Sequence, residues 1–323
     1  MKDRAERKRF RSLYVLLVAA FLLVPPALAQ VLQPGSALAS PPGDQPITPI
    51  PPAPKADPRA VALGERLFED PALSGDGKRA CSSCHEVNFN GADGKALDLD
   101  PAGKPVQFNT DTVFNAALSY RKNWEGNART LEDAATMSLS DPQLMASSVP
   151  KAVKAAKADP VLRRQFEEVY GRGPDSANLL NAIATYERSL VTPNSRFDLW
   201  LEGDKAALSA EELRGYELFT SFGCVSCHQG VNVGGNLFER SGIFHALGSS
   251  QAVLLRVPSL RNVAVTAPYF HDGRTSNLTQ AVRQMGYAQL DRRLSDDQVK
   301  AVAAFLTTLT GRYQGHLLTQ PPP

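Results

Sequence analysis

The chain has 323 residues, 21% of them charged, and a formal net charge of +2. So even a balance argues against a partner held by bulk charge, such as nucleic acid or an anionic membrane surface. The length exceeds one typical core, so two domains are expected.

Residues 1–12 are basic, with Lys2, Arg4, Arg7, Lys8, Arg9 and Arg11, and are followed by the apolar run Leu13 to Val24 and by Ala27-Leu28-Ala29. That order is a secretory signal peptide cleaved after Ala29. The run is shorter than the ~20 residues that cross a bilayer as a helix, so no membrane span is expected after cleavage. Residues 30–57 are rich in proline, from Pro34 through Pro41, Pro42, Pro46 and Pro49 to Pro54, and are expected to form a tether.

Asp57-Pro58 supplies an N-cap and first-turn proline for a helix carrying Gly64-Glu65-Arg66-Leu67-Phe68. Cys81-Ser82-Ser83-Cys84-His85 follows, two cysteines and a histidine at the spacing of covalent c-type haem attachment. The device recurs as Cys224-Val225-Ser226-Cys227-His228, which consumes the remaining cysteines. His85 and His228 are then the proximal iron ligands. A four-cysteine zinc site would leave both histidines unexplained, and thioredoxin-like dithiols would need a βαβ context that is absent.

The repeat extends well beyond the motifs. Gly215-Tyr216-Glu217-Leu218-Phe219 precedes the second motif, on a helix begun by the capping box Ser209 and Glu212. An offset of 147 pairs Asn115 with Asn262, Ala117 with Ala264, Gly126 with Gly273, Leu131 with Leu278 and Ala134 with Ala281. Both copies close on an apolar-periodic helix, around Leu180, Ile183, Tyr186 and Leu190 and around Val299, Val302, Phe305 and Leu309. The expected fold is all-α. Two cytochrome c-like domains stand in tandem, 58–204 and 205–313, joined near Glu202 to Ala207, with a tail over 314–323.

The copies differ at one position that bears on iron. Met285 lies 57 residues past His228, a suitable place for a thioether ligand, and the offset matches it to Ser138, which is no ligand for haem iron. Met137 and Met145 lie near but off that position, and a core methionine is the bland alternative for Met285. The economical expectation is one His/Met haem suited to electron transfer and one haem with an open sixth position suited to chemistry.

Three further stretches carry a resemblance: Leu190 to Asp198 (LVTPNSRFD), Val257 to Val263 (VPSLRNV) and Thr266 to Gly273 (TAPYFHDG). Over about residues 57–313 the chain resembles the bacterial di-haem cytochrome c peroxidase family, which includes the MauG-type enzymes. The resemblance implies a peroxidatic haem on His85 and an electron-transfer haem on His228, and it counts His271 among the residues beside the second haem. Met285, fourteen past His271, matches the family's methionine ligand, where the MauG enzymes themselves carry tyrosine. Trp124 in Trp124-Glu125-Gly126-Asn127 matches the family's tryptophan between the haems. Asn109, Thr266 and Pro268 match its calcium site, and oxygen donors of that kind suit calcium.

The departures are equally informative. The family's histidine that caps the peroxidatic iron has no counterpart, since no histidine lies between Glu86 and Asn123. Its distal glutamate and glutamine fall on Leu144 and Ala134. Peroxide cleavage wants a group that moves a proton between the oxygens, and Asp141, Gln143, Glu132 and Asp133 are the nearest polar candidates. Asp141-Pro142 also reads as a turn, and Glu132 and Asp133 as an exposed first helical turn. His245 reads as a solvated loop residue in the insert Gly234 to Ser250, and His316 as inert in the tail.

Three functions remain open: a periplasmic peroxidase fed by a small cytochrome or cupredoxin; a MauG-like enzyme, as in the copper-uptake-associated MbnH-type members, that uses hydrogen peroxide to oxidise a tryptophan or tyrosine of an exported partner protein; and a plain two-haem carrier. The missing histidine and glutamate favour the second. The resemblance also admits a homodimer.

Overall fold

A computed structural model describes residues 45–247 and 254–322. The expected signal peptide and the first part of the proline-rich stretch lie outside the described residues. The rest is mostly helical, with the two cytochrome c-like halves in tandem.

The first half contains α1 (Pro58–Phe68), α2 (Leu131–Ser140), α3 (Val149–Ala158), α4 (Pro160–Tyr170) and α5 (Ser176–Ser189). After the short α6 (Arg196–Leu201), the second half is built on α7 (Ala210–Ser221), α8 (Leu278–Leu290) and α9 (Asp296–Thr307). The expected caps form: the Asp57 side chain accepts from the Arg59 amide with Pro58 in the first turn, and Ser209 and Glu212 bond reciprocally. Each motif-bearing half is clamped by its first and last helices. Gly64 meets α5 so closely that a Cβ would stand 2.0 Å from the Ala182 carbonyl oxygen, and a Cβ on Gly215 would stand 2.0 Å from that of Ala301 on α9. Only glycine permits these crossings. Leu63, Leu67, Leu162, Phe166, Leu179 and Ile183 fill the first core, and Phe197, Tyr216, Phe219, Phe305, Leu306 and Leu309 the second.

The repeat seen in the sequence is a repeat of backbone. Asn115 and Asn262 both take left-handed conformations, at φ 62° and 64°, and each opens a single 3₁₀ turn. The bridges Lys122 to Ala128 and Tyr269 to Thr275 recur at the same offset, and α2 and α8 begin at the paired residues Leu131 and Leu278. The halves meet where these asparagines converge on one residue. Asn115 and Asn262 donate from their side-chain amides to Thr192 Oγ1 at 2.8 and 3.0 Å, and all three residues are buried.

One expectation needs correction. The proline-rich stretch is not a free tether over its described part: Ile47 and Ile50 are buried, Pro46 and Thr48 accept from Gly230 N and Arg261 Nη2, and the Tyr216 hydroxyl donates to Gln45 Oε1 at 2.6 Å. Two isoleucines among prolines are enough to dock it. The tail packs back onto the body. Strands β3 (Arg312–Tyr313) and β4 (His316–Leu317) form a small hairpin that returns to the first half, where buried Leu318 packs with Phe68, Phe114 and Leu190; His316 itself is exposed. A second antiparallel pair joins β1 (Phe238–Arg240), in the insert, to β2 (Leu254–Arg256), beyond it.

Arg261 pins the docked segment. It meets Asp198 at 2.8 Å with both side chains 1% exposed, and also donates to carbonyls of Thr48 and Val231. Removing one partner strands a buried charge, so Asp198→Ala is expected to cost ~3–5 kcal/mol in denaturant unfolding, and a paired Asp198→Leu, Arg261→Met change to recover most of it. An unchanged midpoint in the single variant would refute this.

Candidate functional site

One continuous cavity is lined from both halves, by Cys81, His85 and Trp124 on one side and by Cys224, His228 and Met285 on the other. Each C-x-x-C-H segment winds a single 3₁₀ turn, closed by the histidine amide donating to the first cysteine's carbonyl at 3.0 Å. Both cysteines and the histidine of each motif therefore face the same space. Burial pushes the Cys81 and Cys84 thiols up to about 12 and Cys224 up to about 11. None of the four is in a disulfide. Among the described residues no three His, Cys, Asp or Glu side chains form a group that could hold a metal ion, so the zinc alternative finds no site.

The two histidines are oriented alike. His85 Nδ1 donates to the Gly91 carbonyl and His228 Nδ1 to that of Val233, each at 3.2 Å. A carbonyl can only accept, so Nδ1 carries the proton and Nε2 is left with its lone pair toward the cavity, which suits an axial ligand. Burial depresses His228 to about 4, keeping the imidazole neutral. Two such motifs opening on one roomy cavity fit a pair of covalent c-type haems.

The cavity walls differ where a sixth ligand would stand. Met285 projects from α8 into the second half of the cavity; the matching wall of α2 offers Ala134 and Ser138. Met137 is 38% exposed and lies off the cavity, while Met145 is buried in the first core and also lines the cavity. Leu144 and Gln143, both exposed, sit at the mouth. Asp141 does not reach the cavity, contrary to its place among the acid–base candidates: it caps α2 and its Oδ1 accepts from the Gln143 amide at 2.8 Å. Glu132 pairs with Arg188 at 2.5 Å and Asp133 closes a capping box, so neither is free for chemistry.

Trp124 lines the cavity. It is 9% exposed, its indole Nε1 donates to the Asn109 carbonyl at 2.7 Å, and its ring meets His271 edge-on at 4.5 Å. Arg256, which the sequence reading missed, holds this group together. Its guanidinium lies 5.4 Å from the Trp124 ring centroid and donates to Asp111 and to the Asn123 carbonyl, and its own carbonyl accepts from His271 Nε2. Burial lowers the His271 pKa, so that imidazole is neutral too. Of the calcium candidates, Asn109 turns its amide nitrogen to the carbonyls of Lys95 and Ala96, and Thr266 and Pro268 line the cavity nearby. His245 is no free loop residue: it stacks on Tyr287 at 3.8 Å and bonds Asp291 at 2.6 Å, fastening the insert to the end of α8.

Residues 58–206 match the di-haem cytochrome c peroxidase family and residues 213–310 the cytochrome c family. The cytochrome c551 peroxidase of Nitrosomonas europaea is 38% identical, across 83% of this chain and 85% of that protein. The chain belongs to the di-haem cytochrome c peroxidase/MauG family. It is also 30% identical to the methylamine utilization protein MauG of Methylorubrum extorquens, over 84% of each chain. A solved structure of a MauG-like protein associated with microbial copper homeostasis superposes with a TM-score of 0.70 at 25% identity, covering 82% of this chain and 93% of that one. The family is one of haem oxidoreductases, and membership implies two c-type haems.

Two outcomes test the site. A pyridine haemochrome assay on denatured protein should return two covalent haems per chain, and extractable haem would refute the attachment residues. Met285→Ala should lower the potential of one haem and leave the other unchanged; unaltered redox titrations would return Met285 to core packing.

Proposed function

We propose that the protein is a MauG-like enzyme, which takes hydrogen peroxide at the haem held by Cys81, Cys84 and His85 and oxidises a tryptophan or tyrosine of an exported partner protein. The observation that carries this reading is the wall opposite His85. Ala134, Ser138 and Leu144 face the cavity there, and His85 is the one cavity-lining histidine from the first half among the described residues. With no second histidine from the first half lining the cavity among the described residues, the first iron would be left open to peroxide in the resting protein. When bound, the haem pair supplies the redox equivalents for two-electron reduction of peroxide.

The chain's own residues set the rest. Met285 and His228 would hold the second iron at a raised potential suited to electron transfer. Trp124, fixed by Asn109 and Arg256, offers an oxidisable ring between the two centres. Arg256 beneath the indole favours its neutral form over a radical cation, so a hole rests there only in transit. A calcium ion near Asn109, Thr266 and Pro268 belongs to the same reading, because the Asn109 amide nitrogen is committed to two carbonyls and its oxygen is left for a cation. The basic and apolar leader, residues 1–29, would deliver the chain to the periplasm, where a small redox protein or the exported substrate would meet it.

A second reading is an ordinary cytochrome c peroxidase. It is favoured by the higher identity to the Nitrosomonas peroxidase than to MauG, 38% against 30%, and by methionine at position 285. Mixing the fully ferric enzyme with peroxide, then with either a reduced small cytochrome or the exported protein encoded beside it, separates the two. The MauG-like reading expects peroxide equivalents to be consumed fastest by the protein partner, with a modified aromatic residue found by mass spectrometry. Rapid multiple-turnover oxidation of the cytochrome, with an unmodified neighbour, would reject it.

A further inference from the structure

The first cavity lacks the carboxyl that its relatives' pattern would put at Leu144, yet another carboxyl opens on it from a different helix. Glu187 stands near the end of α5. Matching the closing helices at an offset of 119, as Ala182 to Ala301 and Leu190 to Leu309, places Glu187 opposite Leu306, a buried cavity-lining core residue of the second half. One half thus presents a carboxyl where the other presents a leucine. Glu187 lines the cavity with Ile183, one helical turn before it. Its Oε2 is buried and has no hydrogen-bond partner among the described residues.

The charged groups that face it are already engaged. Lys122 Nζ donates to the carbonyls of Ala116, Ala117 and Ser119, and Arg188 is paired with Glu132 of α2. Burial, then the charge of Glu132, pushes Glu187 up to about 8, against the weaker pull of Lys122 and Arg188. Lys122, pushed down to about 8 by burial and by Arg256, still carries its charge at neutral pH, but its ammonium is spent on those three carbonyls and leaves Glu187 without a direct partner. A carboxyl so placed is protonated at neutral pH, and an unpaired acid facing a reaction cavity is a proton store.

We propose that Glu187 is the acid–base residue of the first haem cavity, holding a proton in the resting protein and supplying it to the peroxide oxygen that leaves as water. The role rests on the peroxide reading above. The overall balance is H2O2 plus two electrons and two protons giving two waters. The electrons come from the substrate or redox partner through the haem pair, the O–O bond breaks, and one of the two protons passes through Glu187. Gln143, whose amide does not titrate, and Asp141, which caps α2, cannot take this part.

The test uses the two-haem protein and its Glu187→Gln, Glu187→Asp and Glu187→Leu variants, with stopped-flow peroxide kinetics and the absorption of the ferric first haem followed against pH. The native protein should show one shared protonation step in both, with reaction slowing as the proton is lost at rising pH. Glu187→Gln should abolish the step and slow the peroxide reaction by ~10²–10⁴, while the potential of the second haem stays put. Glu187→Leu should match it, and Glu187→Asp should keep a displaced step. A Glu187→Gln rate within about threefold of native, or a step that survives in it, would overturn the proposal and leave the peroxide reading standing. Should the variants fail to mature, infrared difference spectra of the native protein with labelled glutamate decide. A buried carboxylic-acid band that responds to peroxide supports the role, and its absence overturns it. A native protein that does not consume peroxide would overturn the functional reading, and Glu187's role with it.

Discussion

Three buried polar side chains, Asn115, Thr192 and Asn262, hold the two halves of this protein in one frame. Each asparagine donates to the same threonine hydroxyl, and their side-chain oxygens accept from Thr192 N and Gly311 N. Buried amides left unsatisfied cost ~1–3 kcal/mol each, so the network has essentially one arrangement. Each asparagine also bends the chain through a left-handed residue, just before the segments that carry Trp124 and His271. The seam therefore fixes not only the domains but the approach of the two haem-binding walls. Around it, Arg256 ties β2 to the Trp124 loop, and the tail hairpin carries Leu318 back across to the first half.

Within that frame, function comes from departures from symmetry. The same backbone offers Met285 in one half and Ser138 in the other, and Leu306 in one half and Glu187 in the other. Both exchanges act in the same direction. In the proposed reading, a thioether and a hydrocarbon wall would suit the second site to passing electrons, and small side chains and a carboxyl would suit the first to handling protons. Duplication supplies two equivalent halves to one cavity, and a few substitutions on facing helices would divide the labour between them.

Much of this is legible in the sequence because the informative groups are contiguous. Cysteine and histidine spacing, the helix caps at Asp57 and Ser209, and the paired Asn115 and Asn262 are local signals, and the fold reproduces each of them. The residues that escaped notice are those whose role is set by partners far along the chain. Arg256 meets Asp111 and Trp124 across the halves, and Glu187 looks like one more polar position on an amphipathic helix until the helix is packed. Ile47 and Ile50 were hidden by a proline-rich composition, and Leu318 by its place after the last helix. Asp141 misled for the opposite reason, being close in sequence to the site but with its carboxylate turned onto the Gln143 amide.

The central claim is that one frame holds two unlike irons, one capped by Met285 and one left open opposite His85. Electron paramagnetic resonance of the fully ferric, two-haem protein tests it most directly. The account predicts a high-spin and a low-spin ferric signal in equal amounts, with the low-spin signal alone altered in Met285→Ala. Two low-spin signals of equal weight would mean that some side chain closes the first iron, and would contradict it.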